Sequence, residues 1–324
     1  MSSRVLRLLF VAVALAVTPR LMHAQLAQSE PEWYLPSPDG CRLFVQEYGT
    51  GADTVVVLHG GWGAEHSYLL GAFAGLERRY HMVFYDQRGS LRSPCPDSLL
   101  SVTKQVEDLE RLRLALQLNR MTVVGHSMGT FLAMEYLSQH PGRVRGMVLM
   151  GAVPPRTPTS VSDSAASSAS SRAANAFFTR AAVAAALRSA GVDGDTSRLT
   201  PKQRTTRWRI AFAGVNLYHV ERWPLLKGGK AYFNLAAANA MTATAPATYD
   251  LTSALLAQDC PVTVIQGDHD YLDMGALRHA AWTRGATGAR LVVIADAGHA
   301  SWIDAPKAVY RALSDALRRG THCQ

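Results

Sequence analysis

The chain has 324 residues, 48% of them hydrophobic and 18% charged, with a formal net charge of +8. That is a globular composition with length for a large core, either one large domain with an insertion or two smaller ones. The basic residues are dispersed, with no run of five or more, which excludes the patch or stripe that a nucleic-acid surface needs.

The first element in chain order is a leader. Arg4 and Arg7 precede a ten-residue apolar run at 8–17, and small or weakly polar residues lead to Ala24. This is the pattern of a secretory signal peptide, cleaved after Ala24. The run is half of the about 20 residues a spanning helix needs, so no stable membrane anchor is expected after cleavage. No cysteine sits at the cleavage site and no twin arginine is present, so the expected route is general export to the periplasm or the exterior. Removing residues 1–24 leaves 30 basic against 25 acidic residues.

From residue 41 onward, short apolar runs alternate with longer segments of helical spacing. Strands are predicted at 41–48, 54–61, 81–89, 120–127 and 144–153. Val102, Val106, Leu109, Leu112 and Leu116 mark a helix within 98–119, and a second helix follows Ser127 up to Pro141. The rhythm breaks from Pro154 to Asp259. There a Ser/Ala-rich stretch begins as loop and continues as helix, and two aromatic, helix-compatible pieces follow. Strands return at 261–270 and 289–299, and an amphipathic helix closes the chain. Alternating strands and helices predict an α/β fold, a mostly parallel central sheet with helices on both faces. The division is a leader (1–24), a core (25–153 and 260–324) and an inserted helical lid (154–259). Of the cysteines, Cys41, Cys95, Cys260 and Cys323 permit three pairings. Cys260 and Cys323, at the start of a strand and the end of the last helix, are one candidate pair. Their spacing matches no metal-site pattern, and none of the other motifs calls for a metal or a cofactor.

The stretch 123–130 reads VVGHSMGT. Ser127 thus follows a strand and precedes a helix, within G-x-S-x-G, the context of a nucleophile held on a strained turn. Side chains at Gly125 and Gly129 would crowd the neighbouring strand and helix. The following helix directs its N-terminal dipole at the site, which favours a developing anion. A serine needs a base, and the base needs a carboxylate to orient it. His299 and Asp270 each follow a late core strand, in the chain order Ser, Asp, His. Asp268 competes with Asp270 as the acid. His126 is expected to point away from the turn, His269 is too close to the acid's own loop, and Asp296 is expected in a turn. Two backbone donors would stabilise an oxyanion: Met128, and a residue of HGGWG at 59–63, with Gly61 first choice and Trp62 second.

The segments HGGWG, DQRGSLRS at 86–93, GHSMG, GDHD and AGH together resemble the α/β-hydrolase superfamily, and within it the proline-iminopeptidase-like branch. The resemblance covers about 38–153 and 261–317. Trp62 stands where that branch usually has Pro, and Leu91 where it usually has Gly. GHSMG is nearer an esterase pattern. The resemblance implies a Ser–Asp–His hydrolase without metal or cofactor, and a structural pairing of Asp86 with Arg88. The favoured activity is release of an amino-terminal residue from a small peptide, ahead of hydrolysis of a small ester, with a non-catalytic ligand-binding member of the fold as the remaining alternative. The branch holds the substrate's amino terminus with lid glutamates, and Glu221 is the only glutamate between Pro154 and Asp259. Glu221 and Trp62 are therefore the candidate substrate contacts. Trp208, Phe212, Tyr218, Trp223, Tyr232 and Phe233 are expected either to wall an apolar pocket or to form the lid's own core.

Overall fold

The computed structural model describes residues 32–226 and 233–321. The leader 1–24, Tyr232 and Cys323 lie outside the described residues. Eight strands form one sheet: β1 (Glu32–Pro36), β2 (Arg42–Tyr48), β3 (Asp53–Leu58), β4 (Tyr80–Tyr85), β5 (Met121–His126), β6 (Val144–Met150), β7 (Val262–Gly267) and β8 (Ala289–Ile294). Their spatial order is β1-β2-β4-β3-β5-β6-β7-β8. β2 is antiparallel to β1 and β4, and β3 to β8 are all parallel. The order reverses between β3 and β5, the switch point at which open α/β sheets form sites beyond the strand ends.

The central strands are apolar on both faces, as a parallel sheet covered by helices requires. Val56, Leu58 and Val123 enter one core cluster, while Val55, Val57 and Val124 enter the other. The helices Val102–Ala115 and Met128–Gln139 cover the first face, with Val106, Leu109, Leu112, Phe131 and Leu132 buried. The helix Pro306–Thr321 covers the second with Val309, Leu313 and Leu317.

Some boundaries differ from the sequence reading. The helix read within 98–119 begins after Ser101, whose hydroxyl accepts from the Lys104 N–H at 3.2 Å, and ends before Gln117, at φ 55°. The strand read at 144–153 stops at Met150 because Gly151 turns to φ +49°. β1 was not predicted: it is a short edge strand whose only strand partner is β2. Cys41 and Cys95 form a disulfide, with 5.4 Å between their Cα atoms. Cys260 is buried, with the Arg120 guanidinium 2.6 Å from its sulfur.

Between β6 and β7 the described residues form helices, and their only strand-like pairing is a single bridge, Arg156 to Asp250. The Ser/Ala-rich stretch is helical from Val161, where Ser160 caps the helix by accepting from the Asp163 N–H at 3.0 Å. The helix Pro201–Asn216 starts from a capping box between Thr200 and Gln203. This segment joins the core through Ile210, Ala213 and Leu217 on one face and Ala237 and Met241 on the other. No helix among the described residues is long and apolar enough to cross a membrane.

Candidate active site

Ser127 stands between β5 and the helix Met128–Gln139 with φ 53° and ψ −125°. A non-glycine residue in that region is strained and persists only where its surroundings enforce it. The enforcement is visible. The Ser127 N–H donates to the Met150 carbonyl at 3.0 Å, and its carbonyl accepts from Thr130 N–H at 2.8 Å. Its side chain makes no helix-capping bond. A Cβ on Gly125 would lie 2.5 Å from the Gly129 carbonyl oxygen, and one on Gly129 would lie 2.4 Å from that of Leu58. The two glycines thus let the turn close against β3.

Asp270 follows β7 and is fully buried, and His299 follows β8 with 4% exposure. His299 Nδ1–H donates to the Asp270 carboxylate, at 3.0 and 2.9 Å from its two oxygens. That contact places the proton on Nδ1 and leaves Nε2 as an acceptor. The Leu272 N–H holds Asp270 Oδ1 at 3.0 Å. Gly151 lies under the pair. A Cβ there would come within 3.0 Å of His299 Nδ1 and 3.1 Å of Asp270 Oδ2. Asp268, the rival acid, is occupied elsewhere: its oxygens accept from the Asp296 and Ala297 N–H groups at 3.1 Å and meet His269 Nδ1 at 2.7 Å. Asp296 is in a turn, at φ 51°.

Ser127 and His299 line one cavity of about 390 Å³ with Gly60, Gly61, Tyr68, His126, Tyr271 and Trp302. The inserted segment closes it with Trp208, Phe212, Val215, Leu226 and Phe233. Of the aromatics singled out from sequence, Trp208, Phe212 and Phe233 are wall residues. Trp223 instead packs under the Arg209 guanidinium, and Tyr218 lies against His269 at 4.6 Å between ring centroids. Among the described residues that line the cavity there is no Asp, Glu, Lys or Arg.

Gly61 lines this cavity at φ +73°, and Met128 opens the helix beside Ser127. Trp62 does not line it. Its indole is 7% exposed and packs edge-on against Phe131, inside the core. Glu221 is likewise elsewhere: its side chain is 68% exposed, 3.2 Å from His219, on a separate groove with Ala182 and Trp223. The short turn Val220–Leu225 presents Glu221 to solvent while burying Val220.

His126 does not point away as expected. It shares the face of Val124, two residues earlier, and its ring lies 4.6 Å from that of His299. Burial, then the facing His299, hold its pKa well below the ordinary value, so the ring is neutral. The Gly60 N–H donates to Tyr68 Oη at 2.7 Å, Tyr68 O–H donates to His126 Nδ1 at 2.7 Å, and His126 Nε2–H donates to the His299 carbonyl at 3.3 Å. Only strand alternation on β5 could have signalled this contact.

The implied Asp86–Arg88 pair is absent, because each is held by other partners. Arg88 forks onto Asp108 at 2.6 and 2.7 Å and reaches Asp39 at 3.0 Å. Asp86 is bound by His66 at 2.7 Å and Arg92 at 2.9 Å. Burial pushes the Asp86 carboxyl up, but the hydrogen bond from His66 and the Arg92 guanidinium outweigh it and hold the pKa at about 2. Glu65, His66 and Asp86 could each offer a metal one buried ligand atom. The cation between their carboxylates is the Arg92 guanidinium, 3.0 Å from Glu65.

Residues 53–306 match the alpha/beta hydrolase fold family. A proline iminopeptidase from Xylella fastidiosa is 36% identical over 116 residues, covering 35% of this chain and 37% of that protein's length. Among solved structures, a proline iminopeptidase-related protein from Thermus thermophilus superposes with a TM-score of 0.66 at 24% identity, over 92% of this chain and 100% of that one. A thermophilic esterase from Thermogutta terrifontis superposes with a TM-score of 0.60 at 21% identity, over 91% and 99%. At these identities the two likenesses are of fold.

Proposed function

Because the chain belongs to the alpha/beta hydrolase fold family, we propose that it is a serine hydrolase acting on neutral esters with an apolar acyl or alcohol part. The observation that carries this reading is the strained Ser127 turn opening into the same apolar cavity as the His299–Asp270 pair. In this reading His299 Nε2 takes the Ser127 proton as Oγ attacks the carbonyl carbon. Asp270 keeps Nδ1 protonated and stabilises the imidazolium. The N–H groups of Gly61 and Met128 face the developing oxyanion, supported by the helix dipole. His299 returns the proton to the leaving alcohol, and water then hydrolyses the acyl-enzyme by the reverse sequence. The segment 154–259 serves as the lid that selects the acyl group.

A second reading is release of an amino-terminal residue from a peptide, favoured by the partial identity to a proline iminopeptidase. An N-terminal ammonium needs a carboxylate partner when desolvated. The described lining residues include none, and the stretch 227–232 has lysines but no acid. That ranks the ester first. The test is hydrolysis of short 4-nitrophenyl esters beside prolyl and alanyl aryl-amides. Turnover of the amides with little on the esters would reverse the order. Ser127→Ala should abolish turnover while leaving the melting curve in place, and an active variant would refute the mechanism.

We also propose that the chain works outside the cytoplasm. The leader pattern at 1–24 and the Cys41–Cys95 disulfide support this, since such bonds persist in oxidising compartments. Mass spectrometry of the exported form should find Gln25 at its amino terminus.

A further inference from the structure

The rim of the cavity combines exposed aromatics with uncompensated positive charge. Trp208 and Phe212 are one turn apart on the helix Pro201–Asn216 and stack at 5.2 Å between ring centroids. Both line the cavity, yet they are 53% and 37% exposed. Phe233, also on the wall, is 57% exposed, and its near neighbour Leu235 is 62% exposed. An ester enclosed within the cavity covers the inward faces of these side chains and leaves the outward faces in water. Apolar surface of this extent around a mouth marks an interaction site rather than scattered exposure.

The charge points to the partner. The same helix carries Lys202, Arg204, Arg207 and Arg209 and no acid. None of the four belongs to an ion pair among the described residues. Arg207 and Arg209 donate to the carbonyls of Val192 and Leu226, bonds that orient them without neutralising them. The asymmetry extends to the whole segment. Residues 154–259 hold 12 basic and six acidic residues, whereas the rest of the chain after residue 24 holds 18 and 19. The net positive charge of the chain without its leader therefore resides entirely on the segment that forms the mouth.

We propose that this mouth docks on an anionic lipid surface, from which the cavity draws its ester. Indole and phenyl rings settle at the boundary between headgroups and acyl chains, while flanking lysines and arginines meet anionic headgroups. With Trp208 and Phe212 in the surface, the cavity opens toward the acyl chains and Ser127 lies at its base. The proposal rests on the serine-hydrolase reading for the chemistry, but not for the docking.

The test uses the full chain carrying Ser127→Ala, so that no lipid is consumed, in sedimentation with vesicles. One set is phosphatidylcholine alone and the other contains phosphatidylglycerol. Binding is expected to the anionic vesicles only, weakening with salt and accompanied by a blue shift of tryptophan emission. That shift should be lost in Trp208→Ser. Lys202→Gln and Arg204→Gln should each weaken binding about fivefold, from about 1 kcal/mol per basic residue near such a surface. In the chain with Ser127 intact, both should leave hydrolysis of a soluble ester unchanged. Equal binding to the two vesicle sets, or to neither, overturns the proposal. So does a concentration-dependent dimer that shields Trp208 in the absence of lipid, because the occupant is then a second copy. If vesicles bind but the unsubstituted protein hydrolyses no ester, the docking stands and the chemistry falls. Ester hydrolysis without vesicle binding separates the two the other way.

Discussion

Replacing Tyr68 by Phe removes one hydroxyl that joins two sides of the site. Its oxygen accepts from the Gly60 N–H and its proton goes to His126 Nδ1, each at 2.7 Å. His126 in turn holds the His299 carbonyl. Gly60 precedes the candidate oxyanion donor Gly61, so on the proposed mechanism Tyr68 positions the loop of that donor relative to His299. The substitution leaves two buried polar groups without a partner. Each costs about 1–3 kcal/mol if nothing replaces the lost bond. Gly60, Tyr68 and His126 all line the cavity, so a water can take the vacated place and the loss falls toward the lower end. The expected destabilisation is about 1–3 kcal/mol, or roughly 2–6 °C in Tm. Complete loss of one oxyanion donor costs about 10²–10³ in kcat. A displaced rather than deleted donor should cost about 10–100-fold in kcat, with KM changed by less than about threefold. The assay is saturation kinetics on a soluble aryl ester beside a thermal melt. A variant with lowered Tm but kcat within about twofold of the parent would refute the positioning role and leave Tyr68 a stability residue only.

Three further outcomes follow from the geometry. Burial lowers the pKa of His59, His126 and His279 in the folded chain, so below the unfolded value of about 6.5 the unfolded chain binds more protons. Stability must then fall with pH, each histidine contributing up to about 1.4 kcal/mol per pH unit. Melts between pH 8 and pH 5 should show a falling Tm, and a flat profile would count against neutral burial. Asp39 and Asp86, held at about 2, give up their stabilisation only below about pH 4, so the two effects separate. Gly129→Ala places a methyl 2.4 Å from the Leu58 carbonyl oxygen, a clash costing about 3 kcal/mol. Gly142→Ala meets nothing within 4 Å and should be neutral by denaturant titration. The Cys41–Cys95 bond closes a loop of sequence separation 54, worth about 4 kcal/mol on the chain-entropy estimate. Cys95→Ser should therefore shift the urea midpoint well down, and an unchanged midpoint would show that the bond does not form.

The strands and the Ser127 turn were legible because their causes are local. A strand buried on both faces must be an apolar run, and a tight strand-to-helix turn pressed against β3 must have Gly125 and Gly129 beside it. The contact of Asp270 with His299 was legible because both follow strands that end on the same edge. What escaped depended on partners that the motif itself does not single out. Arg88 and Asp86 are two residues apart, yet Asp108 and Asp39 claim the first and His66 and Arg92 the second. His126 was placed by the register of β5 against the loop after β8, which no adjacent residue announces. Glu221 and Trp208 show the same limit in the inserted segment. Helical spacing was readable there, but the buried side was not. The helix Val161–Phe178 is mostly Ser and Ala and buries only Ala174 and Phe177 among its hydrophobic residues, so it has no apolar stripe to read. On the helix Pro201–Asn216 Ile210, Ala213 and Gly214 face inward while Trp208 and Phe212 face the mouth, so the two largest apolar side chains of the helix are not its most buried. That arrangement is itself informative. Gly214 lets the helix approach its neighbour Ala181–Ser189 closely, a Cβ there coming 2.9 Å from Val183, and the two large aromatics on the other side are left for a ligand or a surface. The helix therefore places Trp208 and Phe212 where they can meet substrate, and specificity should respond to substitution of these two more strongly than stability does.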